Sequence, residues 1–265
     1  MPQPDATSGN NGLTLLHRDT KLVAIDKPAG LLVHRTVLDR HETRFAVQML
    51  RDQIGQPVHP VHRLDRGTSG VLLFALDRDT ARHFSAAFAD GMVAKTYLAV
   101  VRGWPAMAGC IDHPLRRQPD EAEWIDPRAE LIPQAALTHW RRLATTELPL
   151  STDRYATTRI ALLELHPETG RRHQIRRHLK HIAHPIIGDA THGKGAINRA
   201  IAEHTGCARL LLHCARLEVP MPDGALLAID APPSGSFATL LARKEWTWEP
   251  DVDMAAITRG PFTPA

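Results

Sequence analysis

The stretch HRLDRGTSG, residues 62–70, decides the fold, and it runs directly into the apolar segment VLLFAL at 71–76. Glycine, threonine and serine around a single aspartate predict a tight, hydrogen-bonded turn, and the apolar run predicts a buried β-strand. Asp65 stands close to two arginines, and a nearby guanidinium favours the ionised carboxylate. Most aspartates in turns are structural, but turns beside strands often carry functional side chains. Asp65 is therefore a candidate catalytic carboxylate.

Further strands are predicted by apolar, β-branched runs that recur along the chain. They are LVAID (22–26), TYLAVV (96–101), IALLEL (160–165), RLLLHCARLEV (209–219) and ALLAID (225–230). Helical patterns lie between them: residues 42–54 up to Gly55, a helix capped by Asp77 or Asp79 and ended by Gly91, and residues 172–184 up to Pro185. Interleaved strands and helices indicate an α+β fold.

The third of these helices carries an apolar stripe and a set of cations. The stripe consists of Ile175, Leu179, Ile182 and Ala183, and the residues predicted to point elsewhere are Arg176, Arg177, Lys180 and His184. Residues 171–184 hold five Arg or Lys and no acid, and removing five from the chain's 32 bases leaves 27 against 29 acids. The net charge of +3 is thus concentrated in one segment. Such a segment is either a phosphate-facing surface or a solvated helix face.

Composition and the chain's ends narrow the class of protein. The three cysteines are an odd number with no CxxC pair, which favours a reduced, cytoplasmic protein. No run approaches the roughly 20 apolar residues of a membrane span, and the N-terminus has no secretory pattern. Residues 1–12 are predicted to be a disordered polar tail, 112–135 a surface insertion rich in proline and charge, and 246–265 a weakly patterned tail.

Five motifs in a fixed order resemble the RluA family of pseudouridine synthases. HRLDRGTSG is similar to the family's active-site motif. The others are DKPAGLLVH (26–34), AKTYLAVVRG (94–103), ETGRRHQIRRHLKHIAHPIIGD (168–189) and RLLLHCARL (209–217). The resemblance covers about residues 13–245. It implies the pseudouridine synthase fold, with a mixed or antiparallel central sheet in one catalytic domain.

The resemblance also implies roles for residues that match the motifs. Asp65 would be the nucleophile or essential base, Arg176 its partner, and Tyr97 the residue that meets the target base. Arg63 would fill the space left when the nucleotide leaves its stack, or else form a surface salt bridge. The residues expected to contact phosphates are Arg171, Arg172, Arg177 and Lys180. Lys27 and Lys95 are either structural or in contact with RNA. No cofactor is expected, and the enzyme is expected to be monomeric.

Within that family the chain resembles the subgroup that modifies the uridine at tRNA position 65, in the T stem. LVHRTVLDR (32–40), RDQIGQPVHPVHRLDR (51–66), ATTELPLSTDRYATTR (144–159) and GDATHGKGAINRAIAEHTG (188–206) carry this similarity. His192 stands where most of the wider family has tyrosine. Gly67 and Cys214 depart from the subgroup's usual proline and alanine. The alternative is a relative that acts on ribosomal RNA, or on both RNA types.

Three rival readings start from other features. His173, His178, His181 and His184 crowd one segment and suggest zinc, but their spacing spreads them around a helix among cations. A glycoside hydrolase would need a second acid beside Asp65, and the candidate Glu164 lies in an apolar strand. A non-catalytic RNA-binding protein is disfavoured because the three proposed catalytic residues are intact.

Overall fold

A large β-sheet forms the centre of the protein in the computed structural model, which describes residues 12–34, 42–118, 131–152 and 155–259. Eleven of the strands in the described residues belong to this sheet. They are β1 (Thr14–Arg18), β2 (Leu22–Lys27), β3 (His59–Pro60), β4 (Ser69–Ala75), β5 (Ala94–Arg102), β6 (Ala108–Asp112), β9 (Leu137–Leu148), β10 (Thr158–Pro167), β11 (Leu212–Pro220), β12 (Leu226–Asp230) and β13 (Thr247–Trp248). Two short strands, β7 (Leu115–Arg116) and β8 (Pro133–Gln134), pair separately at the base of the predicted insertion.

The order of the strands brings distant segments of the chain together. The main path is β1-β2-β4-β11-β5-β10-β9-β13, while β3, β12 and β6 pair with β4, β11 and β9 respectively. Within the described residues, β4 and β11 are the single parallel pair of named strands and the remaining pairs are antiparallel. The predicted α+β fold with a mixed, mainly antiparallel sheet is confirmed.

Six helices are present in the described residues: α1 (Ala46–Ile54), α2 (Arg78–Ala89), α3 (Gln174–His181), α4 (Gly195–Thr205), α5 (Gly235–Leu241) and α6 (Met254–Arg259). Of the two predicted caps, Asp77 begins α2, because its carboxylate accepts the backbone N–H of Thr80 at 2.8 Å. Helix α1 begins four residues later than predicted, since Phe45 is extended and bridges Leu32.

The predicted helix over 172–184 was too long at both ends. His173 at its start and Ala183 beyond its end both have positive φ, so α3 is confined to the residues between them. Arg176 was predicted to point away from the packed face, but it is buried together with Ile175 and Leu179. That prediction was wrong, because the Arg176 guanidinium binds the buried Asp189 and the partly exposed Asp65 rather than facing solvent.

Two hydrophobic clusters fill the space on and around the sheet. One gathers around β5, β9, β10 and α3, and the other around β2, β4, α1 and α2. All seven residues of β4 are buried, as its continuous apolar run predicted. Tyr97 packs against both clusters, so it lies where they meet.

Several elements carried no clear signal in the sequence. The 12-residue strand β9 and the helix α4 were not predicted. Beyond residue 245, β13 pairs with β9 and Ile257 is buried in the core, so packed structure continues into the predicted tail. Residues 1–11 and 119–130, which include most of the predicted polar tail and half of the insertion, lie outside the described residues. In the described part of the chain, no helix has the length and apolar character needed to cross a bilayer.

Candidate active site

Asp65 lies in the loop between β3 and β4, at the start of a tight turn. The N–H of Thr68 donates to the carbonyl oxygen of Asp65 at 3.0 Å, which closes the predicted hydrogen-bonded turn. The following residues enter β4, where Ser69 and Gly70 are buried. The side chain of Asp65 is 28% exposed, so a ligand can reach its carboxylate.

The loop that follows β2 holds this turn in place through hydrogen bonds to its backbone. The ammonium of Lys27 is fully buried and donates to the carbonyl oxygens of Pro28 (3.0 Å), Leu31 (2.8 Å) and Arg66 (3.2 Å). The N–H of Gly30 also donates to the Arg66 carbonyl, at 2.8 Å. Burial lowers the pKa of Lys27 to about 7. Of its two predicted roles, Lys27 therefore has the structural one, since it holds the loop that carries Asp65.

Arg176 connects the Asp65 carboxylate to a second, buried carboxylate. Its Nη1 donates to Asp65 Oδ2 at 2.9 Å, while Nε and Nη2 donate to the two oxygens of Asp189 at 2.8 and 2.9 Å. The Arg176 side chain is 9% exposed and that of Asp189 is 0% exposed. Burial alone lowers the pKa of Arg176, but the hydrogen bonds to Asp189 and Asp65 outweigh it and the pKa is raised. Arg176 is thus a fixed cation beside Asp65.

A cleft of about 300 Å³ opens in front of this pair. Asp65, Tyr97, Arg176, Arg63 and Arg171, all predicted as site residues, line it. Its walls also include His62, Phe88, Lys95, His173 and Gln174. Asp65 is the one acidic side chain among the described residues that line the cleft. A single carboxylate therefore faces several cations.

Tyr97, on β5, is one of the residues that line the cleft. It pairs with Leu165 of β10 on one side and with Cys214 of β11 on the other. Burial raises the pKa of Tyr97 well above its ordinary value, and the neighbouring Cys214 and Asp65 raise it further. Burial likewise raises the pKa of the Cys214 thiol to about 12. Both groups are protonated at neutral pH.

The remaining predicted cations fall outside the cleft wall. Arg177 is half-buried and donates to the carbonyl oxygens of Arg116 at 3.0 Å and Arg172 at 3.5 Å, which ties α3 to β7. Arg172 is half-buried, and Lys180 is exposed on α3. Arg171, by contrast, reaches the cleft while its Nε donates to the Ala135 carbonyl oxygen at 3.1 Å. The predicted set is therefore divided between the cleft and the adjacent surface.

Two histidines adjoin Asp65, and their arrangement was not predicted. His173 Nε2 lies 3.8 Å from Asp65 Oδ2, and His173 Nδ1 lies 3.3 Å from His192 Nε2. Burial lowers the pKa of His173 to about 4, with Asp65 raising it and Arg176 and His192 lowering it. Burial also lowers the pKa of His192. Both imidazoles are therefore neutral near pH 7.

The features that suggested rival functions have other partners. Glu164 is 5% exposed, and its carboxylate is bound by His166 Nε2 at 2.8 Å and Arg141 Nη2 at 3.4 Å. His178 is bonded to the Thr138 hydroxyl at 2.9 Å and to the His113 carbonyl oxygen at 3.0 Å. In the ranges that the structure describes, no three His, Cys, Asp or Glu side chains are grouped to hold a metal ion.

Asp189 contacts the candidate site residue Arg176 and was not among the residues predicted from the sequence. It follows the apolar pair Ile186–Ile187 and a glycine, and its carboxylate oxygen Oδ1 accepts the backbone N–H groups of Thr191 and His192, both at 2.9 Å. An aspartate side chain commonly accepts the backbone N–H two residues further on, and its place after an apolar pair and a glycine was the available signal.

Comparison with known proteins gives consistent results. Residues 21–181 match a family model described as RNA pseudouridylate synthase. The tRNA pseudouridine synthase C of Yersinia pestis is 46% identical over 89% of this chain and 88% of its own length. The protein of the same name from Vibrio cholerae is 49% identical over 79% of this chain and 86% of its own. The solved structure of Human RNA Pseudouridylate Synthase Domain Containing 1 has a TM-score of 0.66 at 25% identity and covers 86% of both chains.

Proposed function

The chain belongs to the RNA pseudouridylate synthase family, and from this premise we propose that it converts the uridine at tRNA position 65, in the T stem, to pseudouridine. The tRNA substrate is supported by relatives named for it that span most of the chain. The position within the tRNA is supported by the four subgroup motifs of the sequence. The second candidate is a synthase that acts on ribosomal RNA or on both RNA types.

The reaction is an isomerisation that balances without an external reagent. The bond between N1 of uracil and C1′ of the ribose breaks, uracil rotates, and a bond forms between C5 and C1′. The C5 proton is lost and N1 gains one. The site must therefore supply a nucleophile or base at the sugar–base junction, a pocket for the detached uracil, and a path for the C5 proton.

The observation that carries the proposal is the lone carboxylate of Asp65, held by Arg176 at 2.9 Å at the edge of an open cleft. Oδ2 receives the guanidinium, and within the described residues Oδ1 has no hydrogen-bond partner. Asp65 is the nucleophile or essential base in this proposal, through attack on the base, attack on the sugar or removal of a sugar proton. Arg176 keeps it ionised and oriented.

Access to a uridine inside a stem requires the nucleotide to leave its stack, which costs a few kcal/mol. Arg63 is proposed to fill the vacated space, which is supported by its exposure and its position in the wall of the cleft. The ring of Tyr97 offers a surface on which uracil can stack. Arg171, Arg172 and Lys180 are proposed to contact phosphates, and Arg177, bonded to two carbonyl groups, adds mainly positive potential.

Three further features belong to the same proposal. The catalytic domain is proposed to span residues 13–245, with β13 and Ile257 of the C-terminal segment packed onto it, and the enzyme is proposed to act as a monomer in the cytoplasm. The three cysteines form no disulfide among the described residues, and Cys207 and Cys214 are buried, in keeping with a reducing compartment.

Tritium release from uridine C5 tests the function directly. The protein is incubated with tRNA and ribosomal RNA transcripts labelled at uridine C5, and wild-type enzyme is expected to release tritium from tRNA. Asp65→Asn removes the carboxylate charge and is expected to abolish release while RNA affinity and thermal unfolding change little. Asp52→Asn is the matched control, because Asp52 is 65% exposed on α1 and pairs with Arg51.

Each outcome separates one part of the proposal. No release from any RNA by wild-type enzyme would reject the enzymatic function. Release from ribosomal RNA alone would favour the second candidate, and release from tRNA with position 65 unmodified in a sequencing map would reject the site. An Asp65→Asn protein that is slow but clearly active would show that another group carries the chemistry.

A further inference from the structure

Within the proposed function, we propose that Asp189 and His192 are positioning residues, and that the turn they form holds both donors that face Oδ2 of Asp65. Two chains of contacts leave this turn and end on the same carboxylate oxygen. One runs through the Arg176 guanidinium and the other through the His173 imidazole. The turn thereby leaves Oδ1 of Asp65 turned toward the uridine.

The first chain of contacts fixes the guanidinium. Asp189 binds Arg176 through two hydrogen bonds of 2.8 and 2.9 Å, a bidentate geometry that defines the plane of the guanidinium. This leaves Nη1 for Asp65, at 2.9 Å. If Asp189 did not occupy Nε and Nη2, Arg176 would be able to bind Asp65 in the same bidentate way. Both carboxylate oxygens would then be engaged, and neither would be available to the substrate.

The second chain of contacts determines which ring nitrogen of His173 carries the hydrogen. Two neutral imidazoles 3.3 Å apart share one hydrogen, so one ring nitrogen donates and the other accepts. If His173 Nδ1 donated, the lone pair of His173 Nε2 would face the Asp65 carboxylate 3.8 Å away, which is repulsive. His192 Nε2 must therefore donate to His173 Nδ1, and His173 Nε2–H then points toward Asp65 Oδ2.

The turn itself is held in place by backbone hydrogen bonds and by the side chain of Asn198. The Asp189 carboxylate accepts the N–H groups of Thr191 and His192, each at 2.9 Å. The side-chain amide of Asn198, on α4, accepts from the Gly188 N–H at 3.1 Å and donates to the Asp189 carbonyl oxygen at 3.0 Å. Burial raises the pKa of Asp189, but its hydrogen bonds to Arg176 and to the backbone outweigh this and lower it, so the residue stays anionic.

Single-turnover tritium release at saturating RNA tests the contacts that run from Asp189 through Arg176 to Asp65. Asp189→Asn is expected to lower the rate about 10- to 100-fold, since a small misplacement of a reacting group has effects of that size. RNA affinity is expected to stay within about twofold, because the turn does not line the cleft. Thr191→Ala is the control and should keep the wild-type rate, since Thr191 contributes its backbone N–H and its side chain is exposed.

A pair of variants at His192 tests the contacts that run from His192 through His173 to Asp65. These variants leave the buried charge of Asp189 in place. His192→Leu removes the donor and is expected to slow single turnover about tenfold, whereas His192→Gln keeps a donor and should recover most of the wild-type rate. A purely structural role would make both variants similar. Equal rates for His192→Leu and wild type, or equally slow Leu and Gln variants, would overturn this part.

A crystal structure of the Asp189→Asn enzyme gives a readout that does not depend on activity. The expected change is a rotated Arg176 that engages both oxygens of Asp65. An Arg176 that keeps its place would overturn the proposal even if the rate falls. Wild-type protein that is inactive on every RNA would instead reject the proposed function, and the crystal structure would still decide the positioning role.

Discussion

Burial sets the protonation state of the side chains in the cleft, and this limits what Tyr97 can do. Its pKa is raised well above the ordinary value by burial and by its neighbours Cys214 and Asp65. A phenolate is therefore scarce at neutral pH, and Tyr97 is a poor base until the substrate changes its surroundings. Its ring can stack on uracil in any case, and its O–H can donate a hydrogen bond.

Tyr97→Phe and Tyr97→Leu separate the two contributions of this side chain. Tyr97→Phe keeps the ring and is expected to lower tritium release about 100-fold, at the lower end of what proton-transfer groups contribute, once bound uridine has changed the surroundings of the phenol. Tyr97→Leu removes the ring as well and is expected to reduce release below detection. Single-turnover release at saturating RNA measures both rates, and filter binding measures the affinity.

The affinity measurement provides the control for this pair. RNA affinity of Tyr97→Phe should match that of the wild type, since the stacking surface is unchanged. A Phe variant with the wild-type rate would show that the Tyr97 hydroxyl takes no part in the reaction. A Leu variant as fast as the Phe variant would show that stacking on the Tyr97 ring does not contribute to the rate.

Motifs in the sequence predicted that Asp65, Tyr97 and Arg176 meet, and the structure places all three on one cleft. The motifs did not predict Asp189, because its importance comes from a guanidinium that it shares with Asp65. A sequence shows which residues are present but does not show how one side chain divides its donors between two partners. The neutral His173–His192 pair was missed for the same reason.

At the level of elements, the parallel pairing of β4 with β11 depends on one glycine. Gly70 has φ +104°, and a Cβ there would lie 2.1 Å from the carbonyl oxygen of Cys214. Gly70 also pairs with Lys27 on the other side of β4. A side chain at this position would therefore push β4, which follows the Asp65 turn, away from β11, which pairs with the Tyr97 strand β5.

Gly70→Ala is expected to lower the free energy of unfolding by more than about 2 kcal/mol, from backbone strain and the clash with β11. Denaturant unfolding measures the change. Gly195→Ala is the matched control: its Cβ would meet nothing closer than Arg199 Nη1 at 3.4 Å, and alanine favours the helix α4. A Gly70→Ala protein as stable as the control would show that β4 and β11 can separate at no cost.

The elements that were predicted are those whose pattern matches their burial. β2 and β4 are apolar runs, and they are almost wholly buried. β9 reads LTHWRRLATTEL, in which buried and exposed positions follow no regular alternation, so its sequence lacks the signal of a strand. α3 was overextended at its C-terminal end because the apolar spacing continues through Ile182 and Ala183, beyond the last helical residue His181.

At the scale of the whole molecule, buried hydrogen bonds link β4, β11 and the residue that follows β12. The Ser69 hydroxyl lies 2.7 Å from His213 Nδ1, and His213 Nε2 lies 2.7 Å from the Ala231 carbonyl oxygen. Arg209 donates to the Ser69 hydroxyl, which leaves its hydrogen for His213. The imidazole is therefore neutral, with its proton on Nε2. The stability of the fold thus depends on a histidine that must not be protonated.

Stability is expected to fall as the pH drops from 6.5 to 4. Burial lowers the pKa of His213 from 6.5 to about 4, opposed by its bond to the Ala231 carbonyl. In that window the unfolded chain binds a proton that the native protein excludes, so acidification lowers the free energy of unfolding by up to about 1.4 kcal/mol per pH unit. Urea unfolding at pH 7.5 and pH 5.0 measures the difference.

Asp26 opposes this trend and supplies the test of its sign. Burial raises the pKa of Asp26 to about 6, and its buried Oδ1 has no hydrogen-bond partner among the described residues. Between pH 6 and 3.8 the native protein holds a proton that the unfolded chain lacks, so protonation of Asp26 stabilises the fold there. Asp26→Asn removes that contribution, and its loss of stability from pH 7.5 to 5.0 should exceed the wild-type loss by about 1 kcal/mol. A smaller loss in the variant, or wild-type stability that rises on acidification, would mean that the buried histidine and aspartate do not titrate in the native protein as their surroundings require.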